Sequence, residues 1–233
     1  MNNFVSCIVA AGGSGSRMKA NKNKLFLDIN GMPVIAHTLT ALNKSRYISE
    51  IIISSREEDA KLIEECVNKY CITKAKSIVK GGATRAESVF SAISEISDVC
   101  DYVMIHDGAR PFVTDVIIAE TIEKAKEYSA AACGVKPKCT LKTVNSNGVI
   151  IDTVDREKTI EIQTPQVFDK TLLKKMYSLG LETIKSATDD CVLAEKCGAD
   201  IYVTEGSYKN IKITTPEDIE IAEIFAKGIQ NGY

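Results

Sequence analysis

The stretch Val5-Ser6-Cys7-Ile8-Val9-Ala10, followed at once by Ala11-Gly12-Gly13-Ser14-Gly15-Ser16-Arg17-Met18, decides the fold class. A short apolar, β-branched run that stops at glycines predicts a buried strand ending in a loop. Small residues let a ligand approach the loop backbone, and its successive N–H groups suit a phosphate chain. The loop lacks the Gly-Lys-Ser/Thr of a P-loop, and Met18 stands where a dinucleotide fingerprint has its third glycine. By itself the loop is equally compatible with a tight turn that binds nothing.

Similar apolar runs alternate with amphipathic stretches along the rest of the chain. The predicted strands are Val5–Ala10, Glu50–Ser55, Ser77–Val79, Tyr102–Ile105, Ala131–Val135 and Asp200–Thr204. The predicted helices are Pro33–Asn43, Glu57–Tyr70, Arg85–Ile96, Asp115–Tyr128 and Asp190–Cys197. This order predicts an α/β fold, a Rossmann-like, mostly parallel sheet with helices on both faces. Ligands of such sheets bind at the carboxyl ends of the strands.

Two segments depart from this alternation. Thr140–Arg156 has β-forming residues on both sides of Asn145-Ser146-Asn147-Gly148, a pattern typical of a β-hairpin. We expect it to form an arm, over approximately residues 138–157, inserted into a single domain that covers residues 1–233. Near the end of the chain, Thr215-Pro216-Glu217-Asp218 predicts a helix start, with Thr215 as the cap.

Composition restricts the functional classes. The chain has 233 residues, 29 Lys and Arg against 31 Asp and Glu, and a formal net charge of −2. A surface for nucleic acid or anionic membranes needs a basic excess, so we expect neither partner. The absence of a basic leader or a long apolar run predicts a cytoplasmic protein with reduced cysteines. The presence of only two histidines, His37 and His106, argues against imidazole as the basis of catalysis.

Two further polar clusters follow predicted strands. The first is Gly81-Gly82-Ala83-Thr84-Arg85-Ala86-Glu87-Ser88, which opens a helix whose N-terminus favours anions or carbonyl groups. The second is His106-Asp107-Gly108-Ala109-Arg110-Pro111-Phe112. An aspartate that emerges from a buried strand beside a phosphate loop is well placed to hold Mg²⁺. A helix cap or an ion pair with Arg110 would also account for Asp107.

Taken in order, these motifs resemble a known enzyme family. The glycine loop, Lys24-Leu25-Phe26-Leu27 and Gly31-x-Pro33-x-Ile35 resemble the nucleotidyltransferases that act on sugar and polyol phosphates. With the two clusters above, the remaining motifs resemble the 2-C-methyl-D-erythritol 4-phosphate cytidylyltransferases, from Val5 to about Phe225. Those motifs are Thr153-Val154-Asp155-Arg156, Thr164-Pro165-Gln166-x-Phe168, Thr188-Asp189-Asp190 and Asn210-Ile211-Lys212-Ile213-Thr214.

The resemblance implies a role for each matching residue. The triphosphate of CTP would lie on the loop backbone of Ala10, Ala11, Gly12 and Gly13. Charge at the reacting phosphate would be neutralised by the catalytic residues Arg17, Lys24 and Lys212. The cytidine would be bound by Gly82, Ala83, Arg85, Ser88 and Ala109. The polyol phosphate would be bound by Asp107, Thr140, Arg156, Thr164, Thr188 and Lys212, with Asp107 also holding Mg²⁺ or another divalent cation.

The resemblance also implies the fold, the assembly and the reaction. The fold would be that of the nucleotide-diphospho-sugar transferases, and the arm would cross to the other subunit of a homodimer, so that Thr140 and Arg156 serve the partner's site. A cytidylyl group would pass from CTP to 2-C-methyl-D-erythritol 4-phosphate, with release of pyrophosphate. Four positions depart from the family pattern: Asn23 and Leu25 replace the Pro and Gln of Pro-Lys-Gln, and Ala83 and Cys139 each replace Asp.

Three other functions compete with this one. A ribitol-5-phosphate cytidylyltransferase shares most of the motifs but tends to carry Val where this chain has Ala109. A nicotinamide- or flavin-dependent oxidoreductase could use the glycine loop, but its third glycine is missing. A non-catalytic nucleotide sensor would bind CTP without releasing pyrophosphate, and the presence of Arg17, Lys24, Asp107 and Lys212 argues against it.

Replacing Arg17 or Lys24 by alanine should lower turnover on the order of 10²–10³-fold, because each removes a cation from the charge that develops at the transferred phosphate. The measurement is the steady-state rate of pyrophosphate release by each purified variant. Near-normal turnover in either variant would refute its catalytic role.

Overall fold

The computed structural model of the chain describes residues 3–13 and 23–230. Its strands are β1 Val5–Ala11, β2 Asp28–Ile29, β3 Met32–Pro33, β4 Glu50–Ser55, β5 Ala75–Lys80, β6 Tyr102–Asp107, β7 Ala130–Val135, β8 Lys142–Val144, β9 Ile150–Thr153, β10 Glu161–Asp169 and β11 Tyr202–Glu205. Its α-helices are α1 Val34–Lys44, α2 Ala60–Lys69, α3 Arg85–Ala92, α4 Asp115–Tyr128, α5 Lys170–Met176, α6 Leu181–Ser186, α7 Asp190–Lys196 and α8 Pro216–Gln230. None of these helices combines the length and the apolar character needed to cross a bilayer.

Seven strands form the central sheet in the order β11-β7-β10-β6-β1-β4-β5. Neighbouring strands pair in parallel, except that β10 is antiparallel to both β6 and β7. The predicted α/β class with a mostly parallel sheet is therefore confirmed. The predicted Glu50–Ser55 strand and Asp115–Tyr128 helix match the structure at both ends.

The strands are continuously apolar because both faces of the sheet are covered. Side chains that alternate along β1 enter different cores, with Cys7 and Val9 on one face and Ile8 on the other. The first core packs against α1, α2, α4 and α8, and the second packs against α3, α5 and α7. A buried parallel sheet of this kind needs apolar residues at every position of its inner strands, which is the pattern that the sequence carries.

The strand register brings four loops to one edge of the sheet. Ala10 of β1 lies opposite Ser54 of β4 and Asp107 of β6. The Gly81 N–H, just beyond β5, donates to the Ser55 carbonyl at 2.7 Å. The loops that follow β1, β4, β5 and β6 therefore begin side by side, which places the glycine loop, the Gly81–Gly82 turn and the Asp107 segment together.

The longest strand, β10, is one that the sequence does not reveal. Its central residues, Gln163-Thr164-Pro165, are polar or unable to donate a backbone hydrogen bond, so they resemble a loop motif. The pairing with β7 shifts register between Ile162 and Gln166, which places Pro165 where the ladder is interrupted. The structure thus accommodates the proline inside a strand and leaves the Thr164 side chain beside β6.

The predicted hairpin is present as β8 and β9, which pair in antiparallel fashion. The Asn145 side-chain oxygen accepts hydrogen bonds from the Asn147 and Val149 N–H groups, and Gly148 has a φ of +78°. A positive φ at this position favours glycine. Every residue of both strands is exposed, so the hairpin is not covered by the rest of the chain.

Candidate active site

A cavity of about 420 Å³ opens at the edge of the sheet where the four loops meet. Its volume is in the range of small-molecule sites. Its lining consists of Ala10, Ala11, Gly12, Gly13, Lys24, Leu25, Arg56, Gly82, Ala83, Thr84, Arg85, Ser88, Asp107, Ala109 and Lys212. Four of these described residues are cationic and one is acidic, which suits a polyanionic ligand.

The lining contains most of the residues that the sequence singles out. The structure brings together Ala10, Ala11, Gly12, Gly13, Lys24, Gly82, Ala83, Arg85, Ser88, Asp107, Ala109 and Lys212. Arg17, the remaining residue expected at the triphosphate, lies outside the described residues. Side chains that come from five separate parts of the sequence therefore share one cavity, as a nucleotide site requires.

Asp107 is the charge centre of the cavity. Its Oδ1 accepts a hydrogen bond from Arg85 Nε at 2.9 Å, and its Oδ2 lies 2.8 Å from Lys212 Nζ and 3.5 Å from Arg110 Nε. Burial opposes ionisation of this carboxyl, but the charges of Arg85, Lys212 and Arg110 outweigh burial and hold its pKa well below the ordinary value. Asp107 is therefore ionised at neutral pH.

Arg85 is fixed between two carboxylates at the start of α3. Thr84 caps this helix, since its hydroxyl accepts from the Glu87 N–H while the Glu87 side chain accepts from the Thr84 N–H. Arg85 Nη1 lies 2.5 Å from Oδ2 of Asp190, which is fully buried and also accepts a hydrogen bond from the Tyr177 hydroxyl at 2.6 Å. Burial alone would lower the Arg85 pKa, but Asp190 and Asp107 raise it well above its ordinary value.

Lys24 and Lys212 are held by the same short segment. Lys24 Nζ donates to the Ile213 carbonyl at 2.7 Å, and the Ile213 N–H donates to the Ala109 carbonyl at 2.8 Å. Lys212 precedes Ile213 directly in the chain. The two lysines expected to neutralise phosphate charge are thus positioned through one backbone residue, although they are far apart in the sequence.

Two glycines are required by close packing rather than by an unusual backbone angle. A Cβ added at Gly12 would lie 2.7 Å from Ser88 Oγ, and one added at Gly82 would lie 2.2 Å from the Glu87 Cβ. Any side chain at either position would push the loops away from α3. The glycine loop, the Gly81–Gly82 turn and the start of α3 therefore form one close-packed wall of the cavity.

His106 supports the Asp107 loop from beneath. Its Nε2 lies 3.2 Å from the Arg110 carbonyl, and its Nδ1 lies 3.0 Å from Thr164 Oγ1. Burial lowers the His106 pKa to about 4, so the ring is neutral at physiological pH. Since a carbonyl only accepts, Nε2 carries the proton and Nδ1 accepts from the Thr164 hydroxyl. That hydroxyl in turn accepts from the Asp107 N–H at 3.1 Å.

Four residues expected at the polyol phosphate do not line this cavity. Thr140, Arg156 and Thr188 are exposed, the first two at the base of the hairpin and the third just before α7. Thr164 is buried, and its hydroxyl is bonded to His106 and to the Asp107 backbone as described above. Asp189, not Thr188, caps α7, because its side chain accepts from the Val192 N–H.

Two charged residues of the site and its support, Arg56 and Asp190, are absent from the sequence-based set. Arg56 lies in the charged run Arg56-Glu57-Glu58-Asp59, which is indistinguishable in the sequence from a solvated surface turn. Asp190 belongs to the Thr188-Asp189-Asp190 motif, but nothing local indicates that its partner is Arg85, 105 positions earlier. The signal for Asp190 is the acidic pair itself, placed at the start of an apolar helical pattern.

Asp107 is the residue of this cavity that could contribute to a metal site. Among the described residues, no group of three or more His, Cys, Asp and Glu side chains is arranged to hold a metal ion. Mg²⁺ is commonly bound by one or two carboxylates together with phosphate oxygens and water. Asp107 fits that kind of shared site, in competition with Lys212 for its Oδ2 atom.

Comparisons with known proteins agree with this geometry. The family model described as IspD: 2-C-methyl-D-erythritol 4-phosphate cytidylyltransferase matches residues 5–227. The protein of that name from Bacillus cereus is 45% identical over 218 residues, covering 94% of this chain and 96% of the relative. The one from Caldanaerobacter subterraneus is 44% identical over 224 residues, covering 96% and 99%. The 4-diphosphocytidyl-2C-methyl-D-erythritol synthase structure from Anaerococcus prevotii has a TM-score of 0.85 and 33% identity, covering 97% of each chain.

The buried His106 should make the protein less stable in mild acid. Its pKa is about 4 in the folded chain and about 6.5 when unfolded, so the unfolded state binds the proton first as the pH falls. We expect the free energy of unfolding to drop by about 2 kcal/mol between about pH 7 and about pH 5. Urea titrations should show a flatter dependence for His106→Gln, and equal slopes for both proteins would contradict this account.

Proposed function

This chain belongs to the IspD family of 2-C-methyl-D-erythritol 4-phosphate cytidylyltransferases, and from that premise we infer that it joins CTP to 2-C-methyl-D-erythritol 4-phosphate. A phosphate oxygen of the polyol phosphate attacks the α-phosphorus of CTP. The bond between the α-phosphorus and the bridging oxygen to the β-phosphate breaks, pyrophosphate leaves, and 4-diphosphocytidyl-2-C-methyl-D-erythritol forms. The observation that carries this inference is the cavity that Lys24, Arg56, Arg85 and Lys212 line together with Asp107, the one acidic residue among the described lining residues.

The chemistry needs charge neutralisation more than proton transfer. A phosphate monoester has its second pKa near about 6, so the attacking oxygen is already ionised at neutral pH. No general base is required, which is consistent with the buried, neutral His106. Two polyanions must nevertheless come into contact, and fixed cations and backbone N–H groups lower the energy of that encounter.

We assign the two halves of CTP to the two walls of the cavity. The backbone from Ala10 to Gly13 binds the triphosphate, with the side chains of Lys24 and Arg17 as counter-charges. The cytidine binds at the start of α3, against Gly82, Ala83, Arg85 and Ser88, with Ala109 at the ribose. The support is that the described members of this set line one cavity.

The polyol phosphate is assigned to the side of the cavity that carries Asp107 and Lys212. Thr164 and Thr188 belong to this side as positions near the Asp107 loop and α7. Asp107 would hold a divalent cation, Mg²⁺ in this proposal, which would supply positive charge at the transferred phosphate. The side chains and backbone of the cavity orient CTP and the polyol phosphate relative to each other.

We further propose that the chain, one nucleotidyltransferase domain over residues 1–233, forms a homodimer through the inserted arm at about residues 138–157. Four apolar side chains of the hairpin are between 53% and 61% exposed: Val144, Val149, Ile150 and Ile151. A second copy of the chain would cover them. Thr140 and Arg156 then serve the partner's site, which accounts for their absence from the lining of the cavity in their own chain.

Pyrophosphate release tests the reaction and its acceptor. We expect the purified protein to release pyrophosphate from CTP with 2-C-methyl-D-erythritol 4-phosphate and to show at most a small fraction of that rate with ribitol 5-phosphate. Ala109 and the identity to the relatives named above favour the first acceptor. The Lys212→Ala variant is the negative control. A faster rate with ribitol 5-phosphate, or none with either, would reject the proposal.

Mixing two inactive variants tests the shared site. Lys212→Ala damages the cavity of its own chain, and Arg156→Ala damages the site of its partner. Co-refolded in equal amounts, they should regain activity at about a quarter of all sites, because half of the dimers are mixed and each mixed dimer has one intact site. Lys158→Ala, on the same short turn as Arg156 and 85% exposed, should be active alone. No recovery in the mixture would refute the exchange of arms.

A further inference from the structure

Arg56 lines the cavity where the glycine loop after β1 and the Gly81–Gly82 turn after β5 come together. It follows Ser55, the last residue of β4, and Ser55 lies opposite Ala11 at the end of β1. On the other side, Ser55 accepts the hydrogen bond from the Gly81 N–H. Arg56 therefore approaches the cavity from the edge where the glycine loop and the Gly81–Gly82 turn meet.

The Arg56 side chain is oriented by two carboxylates. Its Nε lies 2.7 Å from Asp59 Oδ2, and its Nη1 lies 2.8 Å from Glu58 Oε1. Asp59 is buried, whereas the Glu58 side chain is 67% exposed, so the pair with Asp59 is the stronger constraint. A guanidinium has five N–H donors in a planar fork, and these two contacts leave others to face a ligand.

We propose that Arg56 binds an oxygen of the β- or γ-phosphate of CTP and is a further nucleotide-binding residue of this enzyme. This inference deepens the proposed function and rests on it. A guanidinium recognises phosphate oxygens through paired N–H groups, and Arg56 lines the same cavity as Gly12 and Gly13, whose backbone is assigned above to the triphosphate.

Asp59 links Arg56 to the turn that carries Lys24. Its Oδ2 also accepts a hydrogen bond from Asn23 Nδ2 at 2.7 Å. Asn23 caps that turn, since its Oδ1 accepts from the Leu25 N–H at 3.2 Å. One buried carboxylate oxygen thus holds two cation-bearing segments in place, and Asp59 acts as a positioning residue for both Arg56 and Lys24.

Calorimetric binding of CTP and CMP to the full-length protein tests the role of Arg56. Arg56→Ala should weaken CTP binding by about tenfold or more, because a charge-assisted hydrogen bond is lost. It should leave CMP binding within about twofold, since CMP lacks the β- and γ-phosphates. Lys80→Ala is the matched control: Lys80 also carries an ion pair to this turn, with Glu57 at 2.6 Å, but it lies outside the cavity lining.

The outcomes separate the possible failures. Unchanged CTP affinity in Arg56→Ala would overturn the inference, and an equal loss for CTP and CMP would overturn it in favour of a contact with the nucleoside or the α-phosphate. An equal loss of CTP affinity in Lys80→Ala would attribute the effect to the general surface charge of the protein, and it would overturn the inference as well. If the wild-type protein bound no CTP, the proposed function would fail and this inference with it.

Steady-state kinetics of Asp59→Asn test the positioning role. The variant should raise the KM for CTP as Arg56→Ala does and also lower kcat severalfold, because the Lys24 turn loses its anchor. In the Arg56→Ala background, Asp59→Asn should add little to KM and still lower kcat. If its effect on KM multiplied fully with that of Arg56→Ala, or if kcat were unchanged, the link through Asp59 would be disproved.

Discussion

The ionised carboxylate of Asp107 is the charge on which the cavity depends. Four cationic side chains share this site and repel one another: Lys24, Arg56, Arg85 and Lys212. Burial raises the free energy of each of these charges further. Asp107 offsets part of that repulsion from within the wall, because its two oxygens contact Arg85 and Lys212. Asp190 supplies a second negative charge to Arg85, through an ion pair with its Nη1 atom. The cations can therefore remain assembled before any phosphate enters.

The fold supplies this arrangement through the ends of its strands. Parallel pairing places Asp107, at the end of β6, beside Ala10, near the end of β1. The antiparallel strand β10 adds a different kind of support, since its irregular centre places Thr164 against the Asp107 backbone. The neutral His106 accepts a hydrogen bond from the same Thr164 hydroxyl. A buried polar chain in which every member has a partner fixes the Asp107 loop more firmly than apolar packing would.

The sequence predicts those parts of the molecule whose signal is local. β1 and α4 are predicted within one residue because an apolar run and a 3.6-residue period are properties of the segment itself. The cavity-lining glycines and lysines belong to motifs that can be seen directly. β10 could not be predicted, since Pro165 lies in a strand only where the ladder to β7 is interrupted. The roles of Arg56 and Asp190 depend on which loops converge, and no local pattern contains that information.

The two cations on Asp107 differ in how freely they can act on a ligand. Arg85 is paired with Asp107 and with the fully buried Asp190, so moving it would break two ion pairs at a large energetic cost. Lys212 has one carboxylate contact, and its side chain is 36% exposed. If Lys212 turned towards a phosphate, Arg85 and Arg110 would still compensate Asp107. The two cations therefore differ: Arg85 is held as a fixed charge of the wall, whereas Lys212 could contact a phosphate oxygen without leaving the buried Asp107 uncompensated.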